Sequence, residues 1–307
     1  MKRIISDIQG LISDFNASNE KLILLSTYFT SKIDPMRKLQ QPEDNFEYFR
    51  IWYESVDELG LSAIIFCDTI SEEFKNKYET DKISFVRCKL GTHSLNDERF
   101  FIFHEFIQDL KHDAYVVSTD INDVIVNKNP LELLEASPDK LFIGRGQRKV
   151  WKNGKWALKA LFSFNRKYKG SLPVSFFNYP LLTPGTLGGK KEIIQKIYKE
   201  MIALFSELGD DGNYDMQVFN FLMKEHYYPQ NSFWDGIIPF WIANWYYYAL
   251  YRISRKLEKG YKEHKYDLVT PEEGIVTNDL IYGGFPFVSM VGKYEQKGVS
   301  EAYLLHK

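Results

Sequence analysis

Two carboxylates, Asp120 and Asp123, stand three residues apart between two apolar triplets, Tyr115-Val116-Val117 and Val124-Ile125-Val126. A buried strand that runs into paired acids presents them on a rigid rim, at the edge where open α/β sheets bind ligands. Acids held so close repel unless a proton or a hard cation lies between them. A divalent ion bridging both carboxylates and a substrate diphosphate is the chemistry this spacing predicts; ordinary turn acids at a strand end are the structural alternative. The strand-Asp-x-Asp pattern of aspartyl phosphatases is not met, because Asn122 holds the plus-two position. The sequence has no Gly-rich P-loop and no G-x-G-x-x-G, which argues against P-loop phosphoryl transfer and dinucleotide oxidoreduction. None of the 6 histidines forms a His-x-x-x-His pair, so a zinc hydrolase has little support.

Positioning such a pair takes strands and helices in alternation. Ile4, Ile5, Ile8, Leu11, Ile12 and Phe15 lie near helical spacing and predict an amphipathic lead-in helix reaching residue 20. Residues 21–27, 62–68 and 83–88 read as buried strands, the second ending in Asp68. Phe46, Phe49, Tyr53 and Val56 predict a helix that Gly60 ends. Ser94 and Asp97 form a capping-box-like start for a helix carrying Phe100, Phe103, Ile107 and Leu110. The acid-bearing strand follows, then a strand at 140–144. This alternation predicts an α/β fold with a mostly parallel central sheet and helices on both faces.

Beyond Gly144 the pattern changes. Residues 145–180 are basic and aromatic, 183–189 form a turn-rich stretch expected to be a loop, and helices are expected at 193–204 and from Asp215. Residues 237–251 are dense in aromatics and lead to Arg252, Arg255, Lys256 and Lys259. A core helix pair over the sheet is expected there, with an interfacial helix on anionic lipid as the alternative.

The bulk numbers set limits. At 307 residues, with 44% hydrophobic and 26% charged residues, the chain suits one large α/β domain or two small ones. Without repeats or a low-complexity linker, a single domain over residues 1–307 is expected. The net charge of -2 gives no support for nucleic-acid binding. The 16% aromatic content suits a large core or a wall for flat rings. Cys67 and Cys88 both fall in predicted buried strands, so a disulfide framework is not expected and a reducing, cytoplasmic compartment is. Asp7 and Asp14 interrupt any signal-peptide core, and no apolar run reaches spanning length.

Taken with their order, these pieces resemble the GT-A-fold glycosyltransferases, in the branch whose metal motif reads Thr-Asp-x-x-Asp-Val, here residues 119–124. Residues 26–37 look like that branch's first-strand loop, 96–100 (Asn-Asp-Glu-Arg-Phe) like its Arg-bearing helix start, 183–189 like its Gly-rich stretch after the metal strand, and 214–220 like its acceptor-side helix. The resemblance spans roughly residues 20–225, each piece being short. It implies a nucleotide-sugar-binding half at about 20–144 and an acceptor half at 145–307. It implies transfer of a hexosyl or pentosyl group from a UDP- or GDP-sugar to a glycan or glycolipid hydroxyl, with Mn²⁺ or Mg²⁺ and with an inverting or a retaining outcome. Asp123 and Asp120 are then the expected metal ligands, Asp120 also meeting the ribose. Thr27, Tyr28, Arg37, Asp68 and Arg99 are expected at the nucleotide, and Asp215 and Gln217 at the reacting centre. Gly188 and Gly189 are expected on the acceptor side. Apart from the resemblance, the aromatic segments 145–180 and 234–251 are expected to set the acceptor, Trp151 and Trp156 above all, because sugar faces stack on such rings; the interfacial alternative for residues 237–251 would suit a lipid-linked acceptor and peripheral membrane contact. The branch's late histidine is sought in residues 285–290, where Ser289 stands instead, leaving His264 or His306 as substitutes. That gap favours a glycan-binding scaffold without turnover as one rival; a metal-dependent nucleotidyltransferase is the other, weakened by the lack of an early Gly-rich triphosphate loop.

Overall fold

The computed structural model describes residues 2–35, 37–153, 155–168, 172–257, 275–288 and 302–306. Ten strands form one mixed sheet: β1 (Leu22–Tyr28), β2 (Ala63–Cys67), β3 (Ile83–Arg87), β4 (Tyr115–Thr119), β5 (Val124–Val126), β6 (Leu141–Lys149), β7 (Pro180–Lys190), β8 (Val276–Thr277), β9 (Ile281–Val288) and β10 (Leu304–His306). The order is β3-β2-β1-β4-β7-β6-β9-β10-β5, with β8 beside β9. The first four strands pair in parallel, as do β6 with β9 and β9 with β10. β7 runs antiparallel to both β4 and β6.

Helices cover both faces, as the alternation predicts. α1 (Gln9–Ala17), α4 (Leu95–Ile107), α6 (Lys155–Lys167), α7 (Ser175–Asn178), α8 (Lys191–Leu208), α9 (Asp215–Leu222) and α10 (Phe240–Leu257) contribute to one core. α2 (Arg50–Glu58), α3 (Glu72–Tyr78) and α5 (Leu131–Glu135) contribute to the other. Successive residues of β1 feed opposite cores, Ile23 and Leu25 one, Leu22, Leu24 and Tyr28 the other, which is the period of two that a strand imposes. A strand buried on both faces has no polar side, hence the unbroken apolar start of β1.

The link between β4 and β5 bends the whole sheet. Five steps separate those strands along the sheet order, about 24 Å if the sheet were flat at ~4.8 Å per step. The chain from Thr119 to Val124 can span at most about 18 Å when extended. The path through β7, β6, β9 and β10 must therefore curl back, bringing β10 and β5 over the end of β4. The curl, more than any single strand, sets where the acids sit.

Three expectations are corrected. The lead-in helix starts only at Gln9, because Ile4 forms a β-bridge with Cys88 and the Arg3 side chain is held by Glu98. Residues 183–189 are strand rather than loop: β7 pairs on both sides, and those backbone hydrogen bonds outweigh the turn preference of Pro and Gly. The aromatic stretch forms one helix, α10, with an exposed side, instead of a buried helix pair.

Candidate functional site

Asp120 and Asp123 leave the C-terminal end of β4. That end is fixed from several directions: the Trp52 indole donates to Thr119 Oγ1 at 2.7 Å, Ser26 Oγ donates to the Thr119 carbonyl at 2.8 Å, and Asp120 N donates to Gly185 O at 2.8 Å. Antiparallel pairing sets His306 of β10 opposite Val124, next to Asp123. His306 Nε2 lies 3.2 Å from Asp120 Oδ2 and 3.6 Å from Asp123 Oδ1. Each of the three residues offers a ligand atom within 4.8 Å of the others. Gly185 makes room for them, since a Cβ there would come within 2.4 Å of His306 Cε1 and 2.6 Å of Asp120 Oδ2.

A second layer of charge adjoins this group. Arg99, in the first turns of α4, is 7% exposed. It pairs with Asp120 through one terminal nitrogen and with Asp215 Oδ2 at 3.1 Å through the other. Its Nε is buried with no acceptor among the described residues. On the opposite side Arg37 pairs with Asp34 at 2.7 Å, reaches Asp123 at 3.5 Å, and lies near the Tyr48 ring. All of these residues line one cavity of about 340 Å³, together with Thr27, Thr183, Asn213 and Met216.

The charges shift one another. Burial acts to raise Asp120, but Arg99 and His306 outweigh it and hold its carboxyl well below the usual range. For His306 burial acts downward, and the hydrogen bond and charge of Asp120 prevail, lifting it above an ordinary histidine. Asp215 is raised, burial exceeding the pull of Arg99. Behind it Asp97 is pushed up to about 8 by burial and by the charge of Asp215; its carboxylate accepts from Tyr214 N at 3.1 Å and so seats the start of α9.

The cavity thus gathers Thr27, Arg37, Arg99, Asp120, Asp123 and Asp215 from the residues the sequence singled out. Others lie elsewhere. Tyr28 points to the opposite core, fully buried, its hydroxyl donating to Pro42 O; Thr27 and Phe29 take the cavity side, as strand alternation requires. Asp68 accepts from the backbone and hydroxyls of Thr30 and Ser31, so it braces the loop after β1. Gln217 is turned about 200° around α9 from Asp215, into a small apolar cavity beside Leu161 and Phe176; Met216 lines both that cavity and the main one. Gly188 and Gly189 are buried pairing positions of β7, where a Cβ would meet Phe287 and Val117, or the Lys140 carbonyl. Trp151 packs on Tyr247 of α10, ring centroids 5.9 Å apart. The Trp156 side chain, His264 and Ser289 lie outside the described residues.

His306 was within reach of sequence reasoning as one of two substitute histidines, but its pairing with β5 is long-range and has no local signal. Gly185 and Met216 sit inside quoted segments, and only the register of β7 and the phase of α9 single them out.

No protein-family model matches the chain, and no curated protein does. Among solved structures it is similar to an active-site mutant of LgtC, with 13% identity, 65% of this chain and 69% of that chain covered, and a TM-score of 0.41. It is similar to the galactosyltransferase LgtC in complex with donor and acceptor sugar analogs, with 12% identity, 64% and 68% covered, and a TM-score of 0.40. It is also similar to the apo-form glycosyltransferase GlyE of Streptococcus pneumoniae TIGR4, with 14% identity, 68% of this chain but 44% of that chain covered, and a TM-score of 0.42.

Proposed function

We propose that this chain is a metal-dependent glycosyltransferase that moves a hexose or pentose from a nucleoside-diphosphate sugar to a hydroxyl of a glycan or glycolipid. The observation that carries the reading is the convergence, in one cavity, of an Asp-Asp-His group with a buried arginine anchored between two carboxylates. Two carboxylates and one imidazole are a donor set suited to Mn²⁺ or Mg²⁺, and Gly185 leaves the space their approach requires.

Asp120, Asp123 and His306 would hold the cation, which when bound acts as a Lewis acid toward the departing diphosphate. Arg99 adds charge that needs no reorganisation: Asp120 and Asp215 fix its plane, and its Nε–H is left for an acceptor. Arg37 and Tyr48 line the same cavity; Arg37 would meet the diphosphate and Tyr48 would offer its ring to the base. Asp215 faces the acceptor side with a carboxyl held above its ordinary range. In an inverting route it takes the acceptor hydroxyl proton; in a retaining route it stabilises the oxocarbenium-like centre. Residues from both 20–144 and 145–307 line the cavity, which suits donor binding by the first segment and acceptor selection by the second. His306 also removes the ground on which a scaffold without turnover was favoured, since a histidine does stand beside the two acids.

Calorimetric titration with UDP and GDP, with and without Mn²⁺, tests the reading. Nucleoside diphosphate should bind with metal and bind weakly without it. A requirement for triphosphate points to nucleotidyl transfer, and indifference to nucleotide and metal overturns the enzyme reading.

A further inference from the structure

α10 turns one side to the protein and the other to water. Phe240, Ala243 and Tyr247 are buried, Tyr247 stacking on Phe177 at 4.7 Å between centroids. At 3.6 residues per turn the opposite side carries Trp241, Trp245, Tyr246 and Ile253, which are 65%, 71%, 53% and 55% exposed. The approach to the helix adds Phe233 at 80% and Trp234 at 52%. Soluble monomers rarely leave a contiguous apolar patch of this kind open to water. The aromatic rings occupy the first half of the helix, and the exposed Arg252, Arg255 and Lys256 close it. Residues 236–257 contain neither Asp nor Glu. At its border Lys152 lies 5.3 Å from the Trp151 ring.

We propose that this face docks on an anionic lipid bilayer, the Trp and Tyr rings entering the headgroup layer and Arg252, Arg255 and Lys256 meeting lipid phosphates. Amphipathic rings favour that layer over water and over hydrocarbon, and a flanking cationic end adds attraction to an anionic leaflet. Among the described residues no helix is long and apolar enough to cross a membrane, and the inner side of α10 is already committed to the protein. A second copy of this chain fits less well. A symmetric contact opposes a patch to itself, which brings the same cations together, while Asp235, the carboxylate beside Trp234, is engaged by Ser175. The inner side of α10 connects to the cavity described above through a chain of packed residues. Met216 lines that cavity and the small one shared with Val150, while Trp151, the next residue, packs on Tyr247. The inference stands apart from the glycosyl-transfer reading.

Co-sedimentation of the full chain with vesicles tests it. The protein should partition onto vesicles of equal parts phosphatidylcholine and phosphatidylglycerol, weakly onto phosphatidylcholine alone, and less as salt rises. A Trp241→Ser/Trp245→Ser variant should lose partitioning at unchanged melting temperature. Replacing Arg252, Arg255 and Lys256 by Gln should cut it about fivefold per charge. The proposal is overturned if the wild type stays in the supernatant or if both variants sediment like it. It is also overturned if sedimentation equilibrium without lipid shows a dimer that the tryptophan variant dissociates. None of these outcomes bears on the nucleotide titration.

Discussion

At the scale of single residues the proposed function assigns holding and reacting to different side chains. Asp123 lines the cavity between His306 and Arg37, and Asp123→Asn keeps its shape, so the change should remove metal-dependent nucleotide binding with little loss in melting temperature. A direct ligand should cost more than the roughly 10–100-fold that an outer partner costs, and unchanged calorimetry with Mn²⁺ and UDP would falsify the assignment. Asp215→Asn should lower kcat far more than donor affinity, because contacts made at the acceptor are strongest in the transition state; a matching loss in donor Kd would make it a nucleotide contact. Asp97 gives a pH signature. Its folded value of about 8 lies above the unfolded 3.8, so folding takes up a proton between them and stability falls as pH rises through that window. Asp97→Asn removes the penalty, and its melting temperature should gain on the wild type steadily across the window. A constant offset at every pH would show that Asp97 does not titrate there.

At the scale of elements, two of the three glycines of β7 have different duties. Gly185→Ala drives a methyl into His306 and Asp120 and should abolish metal-dependent nucleotide binding. Gly188→Ala meets the Phe287 ring at 2.9 Å and Val117 at 3.0 Å, and should cost about 1–3 kcal/mol of stability as overpacking does with binding retained in the folded fraction. Urea melts and nucleotide titrations on both variants decide, and a swap of outcomes would refute the division. The same strand shows what the sequence could disclose. The acids were legible because apolar triplets bracket them, a local pattern. Residues 183–189 misled because turn propensity is local, whereas two antiparallel neighbours are not. Which residues of α9 line the main cavity depends on the rotation of the helix, which packing sets: Asp215 and Met216 line it, and Gln217 lines the small cavity next to it. Tyr28 and Thr27 differ only in strand phase, and period two could have separated them had the core face been known.

At the scale of the molecule, β10 is both a sheet strand and the carrier of His306. It joins β9 to β5 and so completes the curl. His306→Ala should lower metal affinity with little change in melting, whereas a chain ending at residue 301 should lose both, because Ala302, Leu304 and Leu305 are buried with it. If the shortened chain melts like the full one, β10 is an accessory and the curl holds without it.

The distance in sequence between Asp123 and His306 has a consequence in time. A ribosome adds about 5–20 residues per second, so the first acids emerge on the order of ten seconds before the histidine that completes their group. During that interval β1 to β4 can fold, yet the growing chain lacks one of the three residues proposed to hold the metal, and on that proposal a translation intermediate should neither retain manganese nor consume donor. Stalled chains of increasing length, each followed by a linker that spans the exit tunnel, should gain metal-dependent nucleotide binding only when residue 306 is outside the ribosome; a gain on shorter chains would show that the histidine is dispensable.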